Sequence, residues 1–304
     1  MTRLLFNFLI YPGFLFTACF GLAASWIDRK VTARIQWRVG PPWYQPFIDL
    51  VKLSIKEITV PRSASKGLFF LSPLIGLSAV TLVSMLVWLV NINPVSKGFS
   101  GDIIVIMYLL TLPAIAVILG ASASGNPLAS LGVSREIKMV MAYELPFIIS
   151  LIVPVIKSGG LLKLSEIISY QAVNGSFIAS LSGIIAFIVM IFCMQAKLGL
   201  VPFDTSEAET EIIAGTCIEY SGMLLAILKL TKTMLMVALP LFLITLFWQG
   251  FTFLSLWKYV ILLVIIILIR NTNPRVRIDQ AVRFFWGKMT LLSIIAVLLA
   301  IKGM

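Results

Sequence analysis

The sequence predicts an all-α polytopic membrane protein with about eight transmembrane helices. Apolar residues make up 60% of the 304 residues, charged residues only 12%, and the mean hydropathy is +1.03. A water-soluble domain of this length does not carry so large an apolar excess, so much of the surface is predicted to face lipid.

Eight apolar runs are each long enough to cross the roughly 30 Å hydrocarbon core of a bilayer. They cover residues 4–27, 68–90, 103–120, 139–156, 177–195, 222–246, 251–270 and 287–302. The first run is too long for a signal-peptide core and is followed at once by Asp28, Arg29 and Lys30, so we expect it to be retained. With neither a repeat nor a linker in the sequence, residues 1–304 are predicted to form a single transmembrane domain.

The basic residues predict the orientation of these spans. If residues 28–66 lie inside the cell, sixteen Lys and Arg residues fall in inside loops or at inside span ends, and six fall outside. The positive-inside rule then places the protein in the cell membrane as a multi-pass protein with both termini outside. Because the net charge of +11 is explained by these loops, no nucleic acid partner is expected. A second basic inside loop, which either sets the topology or joins the first loop in receiving a peripheral protein, contains Arg270, Arg275, Arg277 and Arg283.

The first inside loop is predicted to carry an amphipathic interfacial helix. Gly40, Pro41 and Pro42 prevent a helix at the start of its informative part, and the apolar side chains that follow Pro46 favour one face until Pro61. Two interpretations remain open. The loop is either a basic anchor for anionic lipid or a docking floor for a partner protein, which the aromatic and polar residues of the proline turn favour: Trp43, Tyr44 and Gln45.

Residues 197–221, KLGLVPFDTSEAETEIIAGTCIEYS, place five carboxylates between two apolar runs: Asp204, Glu207, Glu209, Glu211 and Glu219. An ionised carboxylate in hydrocarbon costs about 3 kcal/mol on insertion scales, so such residues usually have a function, and proton handling is the leading candidate. Ser206 and Glu209 fit a capping box, which predicts a helix with Glu207 and Glu211 on one face. The alternative is a solvated loop that only balances the basic loops.

Three more ionisable residues fall within predicted spans. Glu144 lies about one turn into the span 139–156, where it either snorkels to the interface or belongs to a proton path. Lys229 and Lys232 lie deeper, three residues apart on one helix. We expect both to pair with the carboxylates named above, either as structural ion pairs or as a proton relay.

The residue types argue against a redox centre in this chain. There is no histidine, and Cys19, Cys193 and Cys217 are too scattered to form a C-x-x-C element. No zinc, haem or iron–sulfur site is therefore predicted, and the chain is not expected to be an enzyme on its own.

Three motifs resemble those of a known family: DRKVTARIQWRVGPP (28–42) followed by QPFIDLVKLSIKE (45–57), AYELP (142–146), and PFDTSEAETEIIAGTCIEYS (202–221). The sequence is similar to the NuoH family, the complex I membrane subunit beneath the peripheral arm, and to its relatives in energy-converting membrane-bound nickel–iron (NiFe) hydrogenases. The resemblance implies an acidic pathway lined by Glu144, Glu207, Glu209, Glu211 and Glu219. It also implies that Arg29, Arg34 and Arg38 face peripheral subunits, with Asp49, Lys52 and Glu57 in the same loop.

One departure distinguishes the branches of this family. Quinone-using members carry a longer glycine-rich stretch where Gly40-Pro41 here runs almost directly into Gln45-Pro46. The shortening resembles the ferredoxin-linked hydrogenase branch. It implies hydrogenase-like and iron–sulfur partner subunits that hold the iron–sulfur clusters and a nickel–iron or related centre, together with antiporter-like membrane subunits.

The expected function is therefore that of a membrane anchor and coupling subunit of a redox-driven H⁺ or Na⁺ pump. Two alternatives are a quinone-site subunit of a complex I-type NADH dehydrogenase and a stand-alone carboxylate-coupled secondary transporter. A passive membrane anchor is a third.

Overall fold

The computed structural model describes residues 2–92, 98–249 and 255–303, and every regular element in these ranges is a helix. The helices are α1 (Thr2–Leu9), α2 (Phe14–Ile35), α3 (Gln45–Ile55), α4 (Lys66–Ile92), α5 (Asp102–Leu109), α6 (Leu112–Ala123), α7 (Pro127–Lys157), α8 (Leu164–Asn174), α9 (Leu181–Lys197), α10 (Glu209–Ile212), α11 (Gly222–Phe247), α12 (Ser255–Thr272), α13 (Ile278–Arg283) and α14 (Thr290–Ile301). Short 3-10 turns precede α9 and α11, and a π-helical turn joins α13 to α14.

The predicted all-α membrane fold is confirmed. In the described ranges, seven helical segments are long and apolar enough to cross a membrane, and the shorter apolar helix α9 lies where the remaining span was predicted. The first segment joins α1 and α2, and the third joins α5 and α6. The predicted start of the seventh span, residues 251–254, lies outside the described residues.

Helix α7 begins twelve residues before the predicted span at residue 139. Pro127 occupies its first turn, and the Asn126 side chain accepts a hydrogen bond from the Leu128 backbone N–H at 2.8 Å. These are the usual signals of a helix start. The polar segment SREIK follows them, so the first part of α7 does not belong to a continuous apolar run. The correction is important for Glu144, which lies in the middle of α7 and not one turn from its end.

The amphipathic helix is confirmed as α3, although it ends at Ile55 and not at Pro61. After it the chain is extended, and both the Thr59 backbone N–H (2.9 Å) and the Thr59 hydroxyl (2.7 Å) bond to the Ser221 hydroxyl just before α11. Gly222 allows this contact, because a Cβ there would lie 2.6 Å from the Lys56 carbonyl oxygen. Tertiary contacts therefore hold the chain in an extended conformation where the helix was predicted to continue.

Helix α11 is the central helix of the molecule, buried on nearly all sides and packed against α2, α3, α4 and α12. Its last carbonyl groups lack partners within the helix. Gln171 of α8 supplies the missing donor, since its side-chain amide donates hydrogen bonds to the Thr245 and Leu246 carbonyls at 3.2 and 2.9 Å. On the opposite half, α7, α9 and α14 form a second packed group.

The contact between α2 and α11 needs glycine at position 21, where a Cβ would lie 2.6 Å from the Thr233 carbonyl oxygen. We expect Gly21→Ala to separate these helices and to destabilise the protein by about 1–3 kcal/mol, the usual cost of overpacking. Thermal unfolding of the purified protein measures the loss. Gly67→Ala is the matched control, because a Cβ at Gly67 meets no atom within 4 Å. Equal unfolding midpoints for the two variants would contradict the prediction.

Candidate functional site

The acidic stretch forms a folded loop, residues 198–221, between α9 and α11. The predicted capping-box helix is wrong: Ala208 precedes α10, which has only four residues, and Glu207 lies in the turn before it. The Ser206 carbonyl accepts a long hydrogen bond from the Thr216 backbone N–H at 3.4 Å, which folds the loop back on itself. Local capping is therefore replaced by a contact across the loop.

One glycine lets this loop fold tightly on itself, and a second lets it lie directly against α7. A Cβ at Gly215, whose φ is +48°, would lie 2.0 Å from the Ser206 carbonyl oxygen, and a Cβ at Gly132 of α7 would lie 2.8 Å from the Thr216 nitrogen. The close approach brings the loop carboxylates against the cations and carboxylates of α7 and α11.

Three carboxylates of the loop each have their own partner. Arg275 donates two hydrogen bonds to Asp204, at 2.8 and 2.5 Å. Arg135 of α7 donates to Glu211 at 2.5 Å and to the Thr205 carbonyl at 3.2 Å. Glu219 accepts a hydrogen bond from the Asn126 side chain. In the same way, Asp28 pairs with Arg270, which joins α2 to α12.

The fourth carboxylate, Glu207, pairs with Lys232 of α11 at 2.5 Å. The predicted common face of Glu207 and Glu211 is therefore wrong, because the two carboxylates face different cations. Glu136 of α7 lies beside the Ser206 hydroxyl and interacts with both members of the Glu207–Lys232 pair. The structure thus joins two carboxylates and one ammonium group where α7, α11 and the loop meet.

A second pair lies inside the helices, where Lys197 at the end of α9 bonds to Glu144 of α7. The Lys197 side chain is only 2% exposed, and its ammonium group also lies 4.5 Å from the Phe147 ring centroid. The fully buried Tyr143 interacts electrostatically with both Glu136 and Glu144. Tyr143 therefore links the two pairs.

We call these ionisable residues, together with Tyr143, the acid–base series: Glu211, Arg135, Glu207, Lys232, Glu136, Tyr143, Glu144 and Lys197. It runs from Glu211, whose side chain is 52% exposed, to the buried Lys197. The arrangement is not that of a loop bathed in solvent. Chemically, it offers carboxylates that can take up or release protons next to cations that respond to their charge.

Both lysines of α11 were predicted to pair with carboxylates, but the structure shows an ion pair for only one of them. That one is Lys232. Lys229, in contrast, has an exposed side chain that faces a cavity beside α3, and it forms no ion pair among the residues that the structure describes. The side chain of Glu209 lies outside the described residues.

The residues predicted to receive a partner form a mixed surface around α3. Arg29 donates to Asp49 at 2.8 Å, and Gln45 donates to the other oxygen of Asp49 at 2.8 Å. Burial alone would raise the pKa of Asp49, but these hydrogen bonds and the charges of Arg29 and Lys52 hold it below its ordinary value. The remaining predicted residues are exposed: Arg34, Arg38, Trp43, Lys52 and Glu57.

Sequence reasoning missed Glu136, treated Arg135 and Lys197 only as topology signals, and treated Arg270 and Arg275 as topology signals or docking residues. The missed signal for Glu136 is the Asn126-Pro127 start of α7, which places Glu136 and Glu144 eight residues apart in one helix. The partners of the arginines and of Lys197 depend on contacts between distant parts of the chain, so no local pattern reveals them.

The Lys197–Glu144 pair gives a stability prediction. Lys197→Met leaves the Glu144 carboxylate without its cation and should cost about 3–5 kcal/mol. The double variant Lys197→Met/Glu144→Gln removes both charges and should recover most of this loss in thermal unfolding. Lys163→Met is the control, because Lys163 and Glu166 form an exposed pair at 3.7 Å whose loss should cost at most about 1 kcal/mol. A single variant as stable as the wild type would contradict the buried pair.

Cys217 reports on the charges around Glu207. Burial, and after it the negative charge of Glu207, raise the pKa of the Cys217 thiol to about 12, and Lys232 opposes the rise. In a variant with no other cysteine, the iodoacetamide reaction should accelerate about tenfold per pH unit between about pH 7 and about pH 10 without a plateau, since only the thiolate reacts.

Charge variants test the cause of this pKa shift. Glu207→Gln should lower the Cys217 pKa and speed the reaction at a given pH, whereas Lys232→Gln should slow it. Glu211→Gln serves as the matched control, because Glu211 faces Arg135 and not the thiol. If Glu207→Gln slowed the reaction, the proposed arrangement of charges would be wrong.

Comparison with known proteins agrees with the fold and the motifs. A family described as NADH dehydrogenase matches residues 8–301. The H subunit of NADH-quinone oxidoreductase from Dehalococcoides mccartyi (strain CBDB1) is 32% identical over 315 aligned positions, covering 96% of this chain and 82% of the relative. Its counterpart from Geobacillus thermodenitrificans is 31% identical, covering 90% of this chain and 86% of the relative.

Among solved structures, a chain of the membrane-bound sulfane sulfur reductase, an archaeal respiratory membrane complex, superposes with a TM-score of 0.88. It is 29% identical in sequence, and the match covers 99% of this chain and 100% of that chain. These relatives are subunits of membrane respiratory complexes. The chain belongs to the NuoH-type NADH dehydrogenase family and is a NuoH-like subunit of a membrane respiratory complex.

Proposed function

We propose that this chain anchors a ferredoxin-linked redox module to the membrane and couples electron transfer in that module to H⁺ or Na⁺ translocation. The observation that carries the proposal is the acid–base series, which connects the half-exposed Glu211 with the buried Glu144–Lys197 pair. A purely structural anchor does not need several ionisable groups among its helices, each of which costs free energy to keep in the membrane.

The physical basis of coupling is the dependence of each carboxylate on its neighbours. When negative charge accumulates on an electron acceptor in a partner subunit, carboxylates near the docking face bind protons more readily. Protonation of Glu207 releases Lys232 from its ion pair, and the freed positive charge then acts on Glu136. The same exchange at Glu144 and Lys197 would carry the change into the middle of α7.

The faces of the molecule support one orientation for docking. The loops that precede α4, α11 and α13 meet on one side, through the Thr59–Ser221 contact, the Asp204–Arg275 pair and a 3.0 Å hydrogen bond from the Val276 N–H to the Pro202 carbonyl. This side carries the basic loops, so we assign it to the inside of the cell. The exposed residues around α3 then form the floor on which iron–sulfur and hydrogenase-like subunits dock, and antiporter-like subunits complete the pump within the membrane.

Two observations support the ferredoxin-linked branch over a quinone-reducing one. The turn at Gly40-Pro41 leads almost directly into Gln45-Pro46 and α3. The alignment with the Dehalococcoides relative is longer than the 304 residues of this chain, so that quinone-linked protein carries internal insertions, whereas the chain from the sulfane sulfur reductase is matched over its full length. The redox centres, iron–sulfur clusters and a nickel–iron or related centre, would belong to partner subunits.

The names of the relatives favour a second candidate, a quinone-site subunit of a complex I-type NADH dehydrogenase. Inhibitors of quinone sites distinguish the two. The ferredoxin-linked complex should retain its electron transfer in their presence, and the quinone-linked complex should lose it. Assays of the same complex with protons and with sulfane sulfur as acceptors separate a hydrogenase from a reductase like the structural neighbour.

The coupling proposal predicts the effect of Glu144→Gln in the assembled complex. Because glutamine cannot exchange a proton, the ion gradient formed per electron should fall well below that of the wild type. Ion uptake by proteoliposomes, measured together with electron transfer, gives this ratio. Glu166→Gln is the control, since Glu166 is half exposed on α8 and contacts Lys163 outside the series. An undiminished ratio in Glu144→Gln would refute the relay.

A further inference from the structure

A cavity of about 540 Å³ lies between α9, the acidic loop, α13 and the π-helical turn that joins α13 to α14. Its floor is aromatic, since the ring centroid of Phe284 lies 5.5 Å from that of Phe192 and 5.8 Å from that of Phe203. Arg283 and Lys288 line the rest together with uncharged residues, and none of the described lining residues is acidic. The cavity is therefore amphipathic and positively charged.

The π-helical turn, Phe284–Met289, explains why both cations reach one cavity. Arg283 and Lys288 are five positions apart, and on an α-helix two such side chains diverge by about 140° around the axis. A π turn joins backbone groups five residues apart, so the two side chains come to the same side of the helix. Such turns are rare and occur frequently at functional sites. The turn therefore indicates a site that uses two positive charges side by side.

Packing against α7 and the acidic loop fixes the shape of this turn. The Trp286 indole N–H donates a hydrogen bond to the Met141 carbonyl of α7 at 3.3 Å. Phe285 is fully buried, and its ring centroid lies 4.8 Å from that of Phe203. The Thr290 hydroxyl donates to the Phe285 carbonyl at 2.8 Å, which satisfies a backbone acceptor of the turn. The positions of the two cations are therefore part of the fold.

The charges around the cavity do not balance. Arg275, beside the cavity, is neutralised by Asp204. Arg283 and Lys288, in contrast, form no ion pair with any residue that the structure describes. Two unpaired cations attract an anion, and the planar guanidinium group of arginine binds phosphate through two parallel N–H groups. A phosphate group is therefore the favoured polar part of the ligand.

The apolar part of the ligand follows from the surface that continues the cavity into the membrane. On α9, Ile188 precedes Phe192 by one turn and is exposed. On α14, Leu292 and Ile295 follow Lys288 at helical spacing and are also exposed. The two helices pack side by side, so these side chains form one apolar strip that leads away from the cations. An acyl chain covers such a strip, whereas a free phosphate would leave it empty.

We propose that this cavity binds an anionic phospholipid of the inner membrane leaflet. Arg283 and Lys288 hold its phosphate, the start of one acyl chain lies over Phe192, and the chain continues along the strip between α9 and α14. From Lys288 to Ile295 is seven residues, or about 10 Å of helix, so the strip accommodates the first part of one chain. Basic pockets between membrane helices on the cytoplasmic side bind anionic head groups in this way.

A photo-crosslinking experiment on the intact complex tests the site. Two probes, a phosphatidylglycerol and a phosphatidylcholine, carry a diazirine at the same acyl position and are presented in phosphatidylcholine nanodiscs. Mass spectrometry gives the ratio of crosslinks that the two probes form near Ile188 and Leu292, which cancels contacts between bulk lipid and any exposed apolar surface. We expect the phosphatidylglycerol probe to exceed the other about 25-fold, because each of the two basic residues contributes about fivefold.

Charge variants should remove this preference. Arg283→Gln and Lys288→Gln should each lower the ratio about fivefold, and the double variant should bring it to about one. Arg277→Gln/Lys138→Gln is the matched control, because it removes two exposed cations that do not line the cavity and should leave the ratio unchanged. A ratio near one in the wild type, or an equal loss in the control, would overturn the proposal.

A further variant tests the site without changing its charge. Val276 lines the cavity, and Val276→Trp fills it while both cations remain, so the ratio should again fall to about one. This variant tests the site even if the double charge variant fails to assemble. A preference for phosphatidylglycerol that survives Val276→Trp would show that lipid binds the basic surface and not the cavity, which would reject the proposed site.

Two other outcomes bear on the identity of the ligand. Inorganic phosphate in excess should leave the ratio unchanged, and a strong decrease would show that a free anion is the ligand. A segment of a partner subunit that fills the cavity in a map of the complex would also reject the phospholipid. None of these readouts depends on ion transport, so the test is independent of the coupling proposal.

Discussion

The structure depends on one constraint, which is that a charge kept among membrane helices needs an opposite charge beside it. Lys197 is accommodated within the packed helices because Glu144 accepts its hydrogen bond, and Asp28 in α2 is accommodated because Arg270 of α12 reaches it. Each pair therefore also joins two helices. Removing one charge costs stability, whereas protonating one carboxylate removes its charge without breaking the chain's packing.

The same pairs account for the position of the acidic loop. Asp204 is held by Arg275 beyond α12, Glu211 by Arg135 of α7, and Glu207 by Lys232 of α11. Since the three cations belong to three different parts of the chain, the loop is fixed at the point where those parts meet. This is also the side that bears the exposed residues around α3, so the groups that would respond to a redox partner lie next to the surface proposed to receive it.

Much of the fold follows from local sequence, but the site does not. The apolar runs predicted the membrane helices, and the spacing after Pro46 predicted α3, because these signals reside in neighbouring residues. The capping box at Ser206 and Glu209 failed because a contact with Thr216 and the close packing on Gly132 outweigh a cap. Lys229 and Lys232 look equivalent in sequence, yet only a three-dimensional arrangement decides that one meets Glu207 and the other faces a cavity.

Backbone contacts limit how the proposed coupling can operate. A Cβ would collide with a neighbouring backbone at Gly21, Gly132 and Gly222, which means that α2, the acidic loop and the α3–α4 connection all lie against α11 or α7 without a layer of side chains between them. Helices packed this closely cannot slide past one another by small amounts at low cost. Lysine side chains, by contrast, can swing between carboxylates by rotating single bonds. Charge movement along the series therefore requires Lys232 and Lys197 to change partners while the helices stay in place. In the proposed mechanism these two lysine side chains move, and the helices do not.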